Sequence, residues 1–187
     1  MKRFLFWSTA MVLLAAATHI VTSVFFPRLE REDTVAALMS ASETNTLTVL
    51  DDETKLKEIL RGVPPDMAFA ICPYDISERP IAISAPLPDT YWAVSIFEPS
   101  GRNIYTLNDT QVGTNQFAAL IVQGEAKTAA EEDTSQRQGG GIVIHTTQAQ
   151  GVVVIRSLIP DLASRKRAHE LLAETECKPS LTTATAG

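Results

Sequence analysis

An uncharged apolar run near the start constrains this chain more than any other feature of its sequence. The run covers residues 4–26 and comes after a short basic head, Met1-Lys2-Arg3. A helix of this length measures about 34 Å at about 1.5 Å per residue. That is enough to span a hydrocarbon core of about 30 Å. The sequence therefore predicts a transmembrane helix over residues 4–26, with residues 1–3 as a cytoplasmic head.

The flanking charges and the length of the run predict its orientation and fate. Lys2 and Arg3 favour a cytoplasmic N-terminus under the positive-inside rule, although Arg28 and Arg31 weaken the asymmetry. The competing interpretation is a signal peptide that is cleaved after the small residues 15–17. Apolar residues continue to Phe26, beyond that site, so an uncleaved single-pass anchor is favoured. Both interpretations export the rest of the chain.

The size and charge of the chain limit the part that lies beyond the anchor. The 187 residues suit one domain, predicted over residues 27–177, with a disordered tail over 178–187. The formal net charge of −6 argues against a nucleic-acid partner, because phosphate binding depends on clustered Lys and Arg. One exported domain with no nucleic-acid partner is therefore expected.

The clearest strand pattern lies between Tyr91 and Asp109. Trp92, Val94 and Ile96 fall on one face of the first strand, while the alternate positions 91, 93, 95 and 97 are also mostly apolar. Two apolar faces indicate a central strand that is covered on each side. Turn residues at 98–101 then return the chain along a partner strand over 103–107. The sequence predicts a covered central hairpin.

Other segments give shorter signals that together define the fold class. Strands are predicted over residues 46–50, 67–74, 81–85, 117–123, 142–146 and 151–157, and helices over 28–42, 53–61 and 161–174. The strands over 142–146 and 151–157 are predicted to pair as a hairpin, and residues 124–141 to form a mobile loop. The expected fold is α+β, mainly an antiparallel β-sheet or sandwich, with an N-terminal transmembrane helix and flanking short helices.

Polar residues at the end of the predicted hairpin form the candidate ligand-binding site. They are Asn103, Asn108, Asp109 and Gln111. The simpler interpretation is that these side chains satisfy strand ends and turns by local hydrogen bonds, as Asn and Asp commonly do. A small ligand at the end of the sheet is the functional alternative.

The two cysteines, Cys72 and Cys177, are too few and too far apart for a metal cluster. In an oxidising compartment they can form one disulfide between a central strand and the end of the last helix. The sequence leaves open whether they are bridged or free.

No catalytic motif is present. The nucleophile elbow Gly-x-Ser-x-Gly is missing, no cofactor motif occurs, and no ligand pair has the spacing of a zinc site. His145 on a predicted strand and His169 on a predicted helix are the candidates for an envelope hydrolase with an unrecognised active site. The favoured function is a binding or assembly module; a purely structural role is a third possibility.

Two segments carry a family resemblance. The segment from Cys72 through Asp75 and Arg79, and the hairpin that starts at Tyr91, resemble a bacterial envelope family called domain of unknown function 1254. The resemblance covers residues 61–123 well. It implies anchorage in the bacterial inner membrane, a periplasmic β-rich domain, and a partner protein from the family called domain of unknown function 1214. It transfers no catalytic residue.

Overall fold

The first element is a single long helix. The computed structural model describes residues 2–51, 56–57, 59–60, 63–111, 116–124, 141–161 and 163–180, without the side chains of residues 27–29. Helix α1 covers Lys2–Ser40, so the two helices predicted over 4–26 and 28–42 are one. Pro27 removes one helical hydrogen bond, but no glycine stops the helix there. The apolar run and the domain therefore share one helix.

Beyond α1, the described residues form nine strands and a second helix. The strands are β1 Thr48–Val49, β2 Met67–Asp75, β3 Ile81–Pro86, β4 Trp92–Phe97, β5 Asn103–Asn108, β6 Gln116–Gln123, β7 Ile142–Thr146, β8 Gln150–Leu158 and β9 Glu176–Pro179; helix α2 is Ser164–Ala173. Sheet A has the order β1-β2-β8-β4-β5 and sheet B the order β7-β6-β3-β9. These strands pair in antiparallel fashion except β6 with β7, which is parallel. The predicted α+β class with antiparallel-rich sheets is confirmed.

Sheet A is covered on both faces. Its inner face contributes Trp92, Val94 and Ile96 to a core shared with sheet B, which supplies residues such as Phe117 and Ile121. Its outer face contributes a second cluster with α1, made of Val35, Leu38, Leu50, Leu56, Phe69, Ile71 and Val152. The domain therefore has three layers, and the end of α1 is one of them.

The predicted hairpin of residues 142–146 with 151–157 is wrong. β7 pairs in parallel with β6 in sheet B, whereas β8 lies between β2 and β4 in sheet A. The short connection between them crosses from one sheet to the other. Because β8 is apolar on both faces, the middle of a covered sheet buries it more completely than an edge hairpin would. The two strands are close in sequence, which suggested that they pair, but burial of β8 places them in different sheets.

The β4–β5 hairpin is confirmed, but its place in the sheet differs from the prediction. Residues Trp92 to Ile96 of β4 are all buried. β5, in contrast, is at the edge of sheet A, and β8 is the middle strand. The register shifts between Ile96 and Phe97, where β5 carries an extra residue. The hairpin is thus a flank of the sheet rather than its centre.

The start of the last helix and the end of the last strand differ from the predicted bounds. α2 starts at Ser164, later than predicted, and Asp161 accepts hydrogen bonds from the Ser164 amide at 2.8 Å and its hydroxyl at 2.9 Å. These bonds lower the pKa of Asp161.

β9 extends to Pro179, beyond the predicted domain end at 177. Most of the predicted helix over 53–61, residues 125–140 of the predicted loop over 124–141, and residues 181–187 of the predicted tail over 178–187 lie outside the described residues.

Candidate functional site

The predicted polar residues occupy the two ends of β5. Asn103 begins the strand and Asn108 ends it, about 16 Å apart at about 3.3 Å per residue. The Asn108 Oδ1 accepts hydrogen bonds from the Thr110 amide and hydroxyl, and Gln111 Oε1 accepts one from the Asn108 amide. Asp109 starts a 3-10 turn that covers Asp109–Gln111 and includes Thr110. The structure groups Asn108, Asp109 and Gln111 but leaves Asn103 at the other end, and ligand binding by them stays a prediction.

Cross-strand register places several polar side chains on one surface of sheet A. Asn108 lies opposite Ala93, which lies opposite Arg156, and Thr106 lies opposite Ser95. Asn103 Nδ2 donates to Thr106 Oγ1 at 2.8 Å, and Thr106 Oγ1 donates to Ser95 Oγ at 3.2 Å. We call this surface the outer polar face; it consists of Ser95, Asn103, Thr106, Asn108 and Arg156. It lies beside the area of sheet A that α1 covers.

Arg156 is the residue on this surface that sequence reasoning missed. It lies on the middle strand, between Phe69 of β2 and Ala93 of β4. Its Nη2 donates to the Tyr91 hydroxyl at 3.2 Å, and its Cζ lies 5.9 Å from the centre of the Tyr91 ring. Its Nε is buried and has no hydrogen-bond partner. The available signal was a single charged residue inside the apolar strand predicted over 151–157.

A second polar cluster joins the two sheets. The Glu98 carboxylate is buried and accepts two hydrogen bonds from Arg102, at 2.8 and 2.7 Å. Thr146 Oγ1 of β7 donates to the same carboxylate at 3.4 Å. Burial raises the pKa of the nearby Tyr74, and the Glu98 charge adds to that rise. This cluster fixes the β4–β5 turn against sheet B, and its buried carboxylate is already occupied by protein donors.

A polar cleft of about 340 Å³ lies at the end of β2, and four of its lining residues belong to the segment that carries the family resemblance. It is lined by Asn45, Asp75, Ser77, Glu78, Arg79 and Pro179. Asn45 has a φ of 60°, and its side chain accepts a bond from the Asp75 amide at 2.8 Å. Gln150 and Ser77 donate to the Asp75 carboxylate, which lowers its pKa. Local hydrogen bonds thus use most of the donor and acceptor capacity of Asn45 and Asp75.

The cysteines and histidines occupy separate places. Cys72 of β2 and Cys177 of β9 are joined by a disulfide with 6.6 Å between their Cα atoms, so the bond connects sheet A to sheet B. His145 lies on β7 and His169 on α2. In the part of the chain that the structure describes, no group of three His, Cys, Asp or Glu side chains is placed to hold a metal ion.

These features define a two-sheet α+β domain with an N-terminal apolar helix and no recognised catalytic arrangement in its described residues. The chain belongs to the protein family of unknown function DUF1254, whose family model matches residues 44–179. The expected family resemblance is therefore confirmed.

Two solved structures are similar to this chain at low sequence identity. The VPA0106 protein from Vibrio parahaemolyticus shares the fold; it is 12% identical with a TM-score of 0.55, over 80% of this chain and 35% of that one. A putative uncharacterized protein from Burkholderia cenocepacia is 13% identical with a TM-score of 0.47, over 68% and 34%. This chain thus matches about a third of each solved protein. A comparison with curated proteins finds no match.

Proposed function

We propose that this protein is a membrane-anchored binding or assembly module of the bacterial envelope. The observation that carries the proposal is the division of α1. Large apolar side chains of its first part are exposed, from Phe4 at 80% to Phe26 at 64%, whereas Val35 and Leu38 in its last part are buried against sheet A. By length and composition α1 can cross a membrane, a test that a signal sequence also passes. One continuous helix would then hold the domain at a fixed distance from the bilayer.

The orientation is part of the same proposal. Lys2 and Arg3 favour a cytoplasmic N-terminus, which puts the domain in the periplasm and α1 in the inner membrane. The disulfide between Cys72 and Cys177 agrees with this orientation, because disulfides persist in oxidising compartments.

The partner we propose is a protein of the family called domain of unknown function 1214, bound at the outer polar face. Two observations support this choice. VPA0106 matches this chain over only 35% of its length, so in that protein the shared fold is part of a longer chain. The outer polar face also borders β5, an edge strand with neither a charged residue nor a proline to discourage pairing.

Affinity capture of the full-length, C-terminally tagged protein from detergent-solubilised membranes tests the proposal. Mass spectrometry is expected to identify a protein of the 1214 family in the captured material. The test variant is the same chain with Thr106→Arg on the outer polar face, which is expected to lose the partner. Ser84→Arg, on an exposed position of sheet B, is expected to retain it. Equal recovery from both variants, or no 1214-family protein with the unmodified chain, would contradict the proposal.

A further inference from the structure

We propose that Arg156 is the receptor for an anionic oxygen group, a carboxylate or phosphate, of a ligand that binds at the outer polar face. The proposal concerns the chemistry of one side chain and does not depend on the protein partner proposed above. It rests on the absence of an ion pair and on the fixed orientation of the guanidinium.

The Arg156 guanidinium has an unmet hydrogen-bonding demand. A guanidinium carries five N–H donors, and in this structure the Nη2 of Arg156 donates to Tyr91 while the buried Nε donates to nothing. Buried polar groups are almost always hydrogen-bonded, and an exception calls for an explanation. Because Nε has no exposed surface, a ligand oxygen would bind at the Nη groups, whose hydrogen bond to Tyr91 is exposed.

The charge of Arg156 is also uncompensated. The side chain is half-buried between Phe69 and Ala93 on the middle strand, and its guanidinium end is exposed beside Tyr91. Among the described residues its guanidinium makes no ion pair, although the chain carries 22 acidic residues and a net charge of −6. Arg102 shows the contrast, because the buried Glu98 carboxylate neutralises it. An anion bound at Arg156 would balance its charge.

The guanidinium is oriented before a ligand arrives. The Tyr91 hydroxyl holds one Nη atom, and the guanidinium lies near the Tyr91 ring, so the planar group is held in place. Carboxylates and phosphates bind such a group through two parallel hydrogen bonds. Asn108 lies two strands away, about 10 Å between Cα atoms at about 4.8 Å per strand, where it can contact the rest of the ligand.

The test is a titration followed by NMR on the full-length protein in a non-ionic detergent. The side-chain Nε–H signal of Arg156, assigned by its loss in Arg156→Lys, is recorded against sodium acetate and against sodium phosphate, with sodium chloride replacing them at constant ionic strength. A saturable shift is expected with at least one of the two anions, and the stronger response identifies the anion class. Arg79, exposed in the polar cleft, is the control and is expected to show no saturation.

A second variant keeps the readout specific. In Arg156→Gln, the backbone amide signals of Ala93 and Asn108 that move with the anion in the unmodified protein are expected to stop moving. If that variant fails to fold, the titration of the unmodified protein decides the question. An Nε–H signal that responds to acetate and phosphate no differently from chloride would overturn the proposal.

Discussion

Gly151 shows how one residue permits the packing of a buried tyrosine. It lies opposite Tyr74 in the β2–β8 ladder. A Cβ at this position would overlap the Phe97 carbonyl oxygen and the Tyr74 hydroxyl. The Phe97 oxygen belongs to the backbone and cannot move aside, so the strands themselves would have to shift.

The substitution Gly151→Ala is expected to lower the free energy of unfolding by more than about 2 kcal/mol, because overpacking a buried strand costs about 1 to 3 kcal/mol and backbone contact adds to that cost. Urea unfolding of the detergent-solubilised protein measures the change. Gly124→Ala is the matched control, since among the described residues its new Cβ would meet only the His145 Nδ1, at 3.4 Å. Similar stability for both variants would show that the Tyr74 contact is not tight.

Asp75 predicts a pH dependence of stability. Hydrogen bonds from Gln150 and Ser77 lower its pKa from the ordinary value of 3.8. A carboxylate with a lowered folded-state pKa stabilises the fold above its ordinary pKa, and this contribution is lost as the pH falls through the folded-state value. Asp75→Asn is therefore expected to be less stable than the unmodified protein at pH 7, with a smaller difference at pH 3.

Thermal unfolding at the two pH values tests the Asp75 prediction. Gln150→Ala removes the largest cause of the lowered pKa and is expected to reduce the pH-dependent part of the difference. A difference between Asp75→Asn and the unmodified protein that stays constant from pH 7 to pH 3 would refute the proposed role of Asp75.

Single residues also show where sequence reasoning reaches and where it stops. The hydrogen bonds of Asn108 and Gln111 follow from local sequence, because turn residues bond to neighbours a few positions away. Arg156 acquires its significance from Phe69, Ala93 and Tyr91, which approach it only in the folded sheet. The spacing of residues in the sequence does not show that these four residues become neighbours.

Among the elements, the last part of α1 is expected to contribute to the stability of the domain, and its first part is not. Leu38 is 3% exposed and packs with Phe69, Ile71 and Val152, whereas Leu14 is 70% exposed. Leu38→Ala is expected to cost about 2 to 5 kcal/mol of unfolding free energy through lost burial and a cavity. Leu14→Ala, the same chemical change, is expected to leave domain stability in detergent unchanged. Equal effects in urea unfolding would show that α1 does not pack on sheet A.

The disulfide between β2 and β9 is expected to contribute to the stability of the domain. It closes a separation of 105 residues between β2 and β9, and the chain-entropy estimate for such a loop is on the order of 4 to 5 kcal/mol. Reduction is expected to lower stability by that order, and to have no effect on the double variant Cys72→Ala, Cys177→Ala. Non-reducing mass spectrometry of the protein purified from membranes that finds two free thiols would contradict the bridge.

The sequence predicted where the strands lie better than it predicted which strands pair with each other. Apolar alternation located β4 and β5, and their turn residues gave the correct hairpin. The same reasoning paired the strands over 142–146 and 151–157, which lie in different sheets. Alternation reports which faces of a strand are covered, but it does not report which strand lies beside it. That choice depends on how the two sheets stack.

At the scale of the whole molecule, the described residues form a long helix and a three-layer domain with the outer polar face on the side that α1 covers. α1 provides a segment able to enter a membrane and a segment that packs on the domain. The outer polar face lies next to the area of sheet A that α1 covers, and Asn103 lines a cleft with Arg31 and Glu32 of α1. A partner bound there would lie on the side of the domain that α1 also covers.

Site-specific photocrosslinking in living cells tests most directly whether the outer polar face is a docking surface. A photoreactive amino acid is placed at Thr106 on the outer polar face, or at Ser84 on the exposed side of sheet B as the control. One discrete crosslinked species is expected from Thr106, identified by mass spectrometry as a protein of the 1214 family, and none from Ser84. The same species from both positions, or no discrete species from Thr106, would contradict the proposed function.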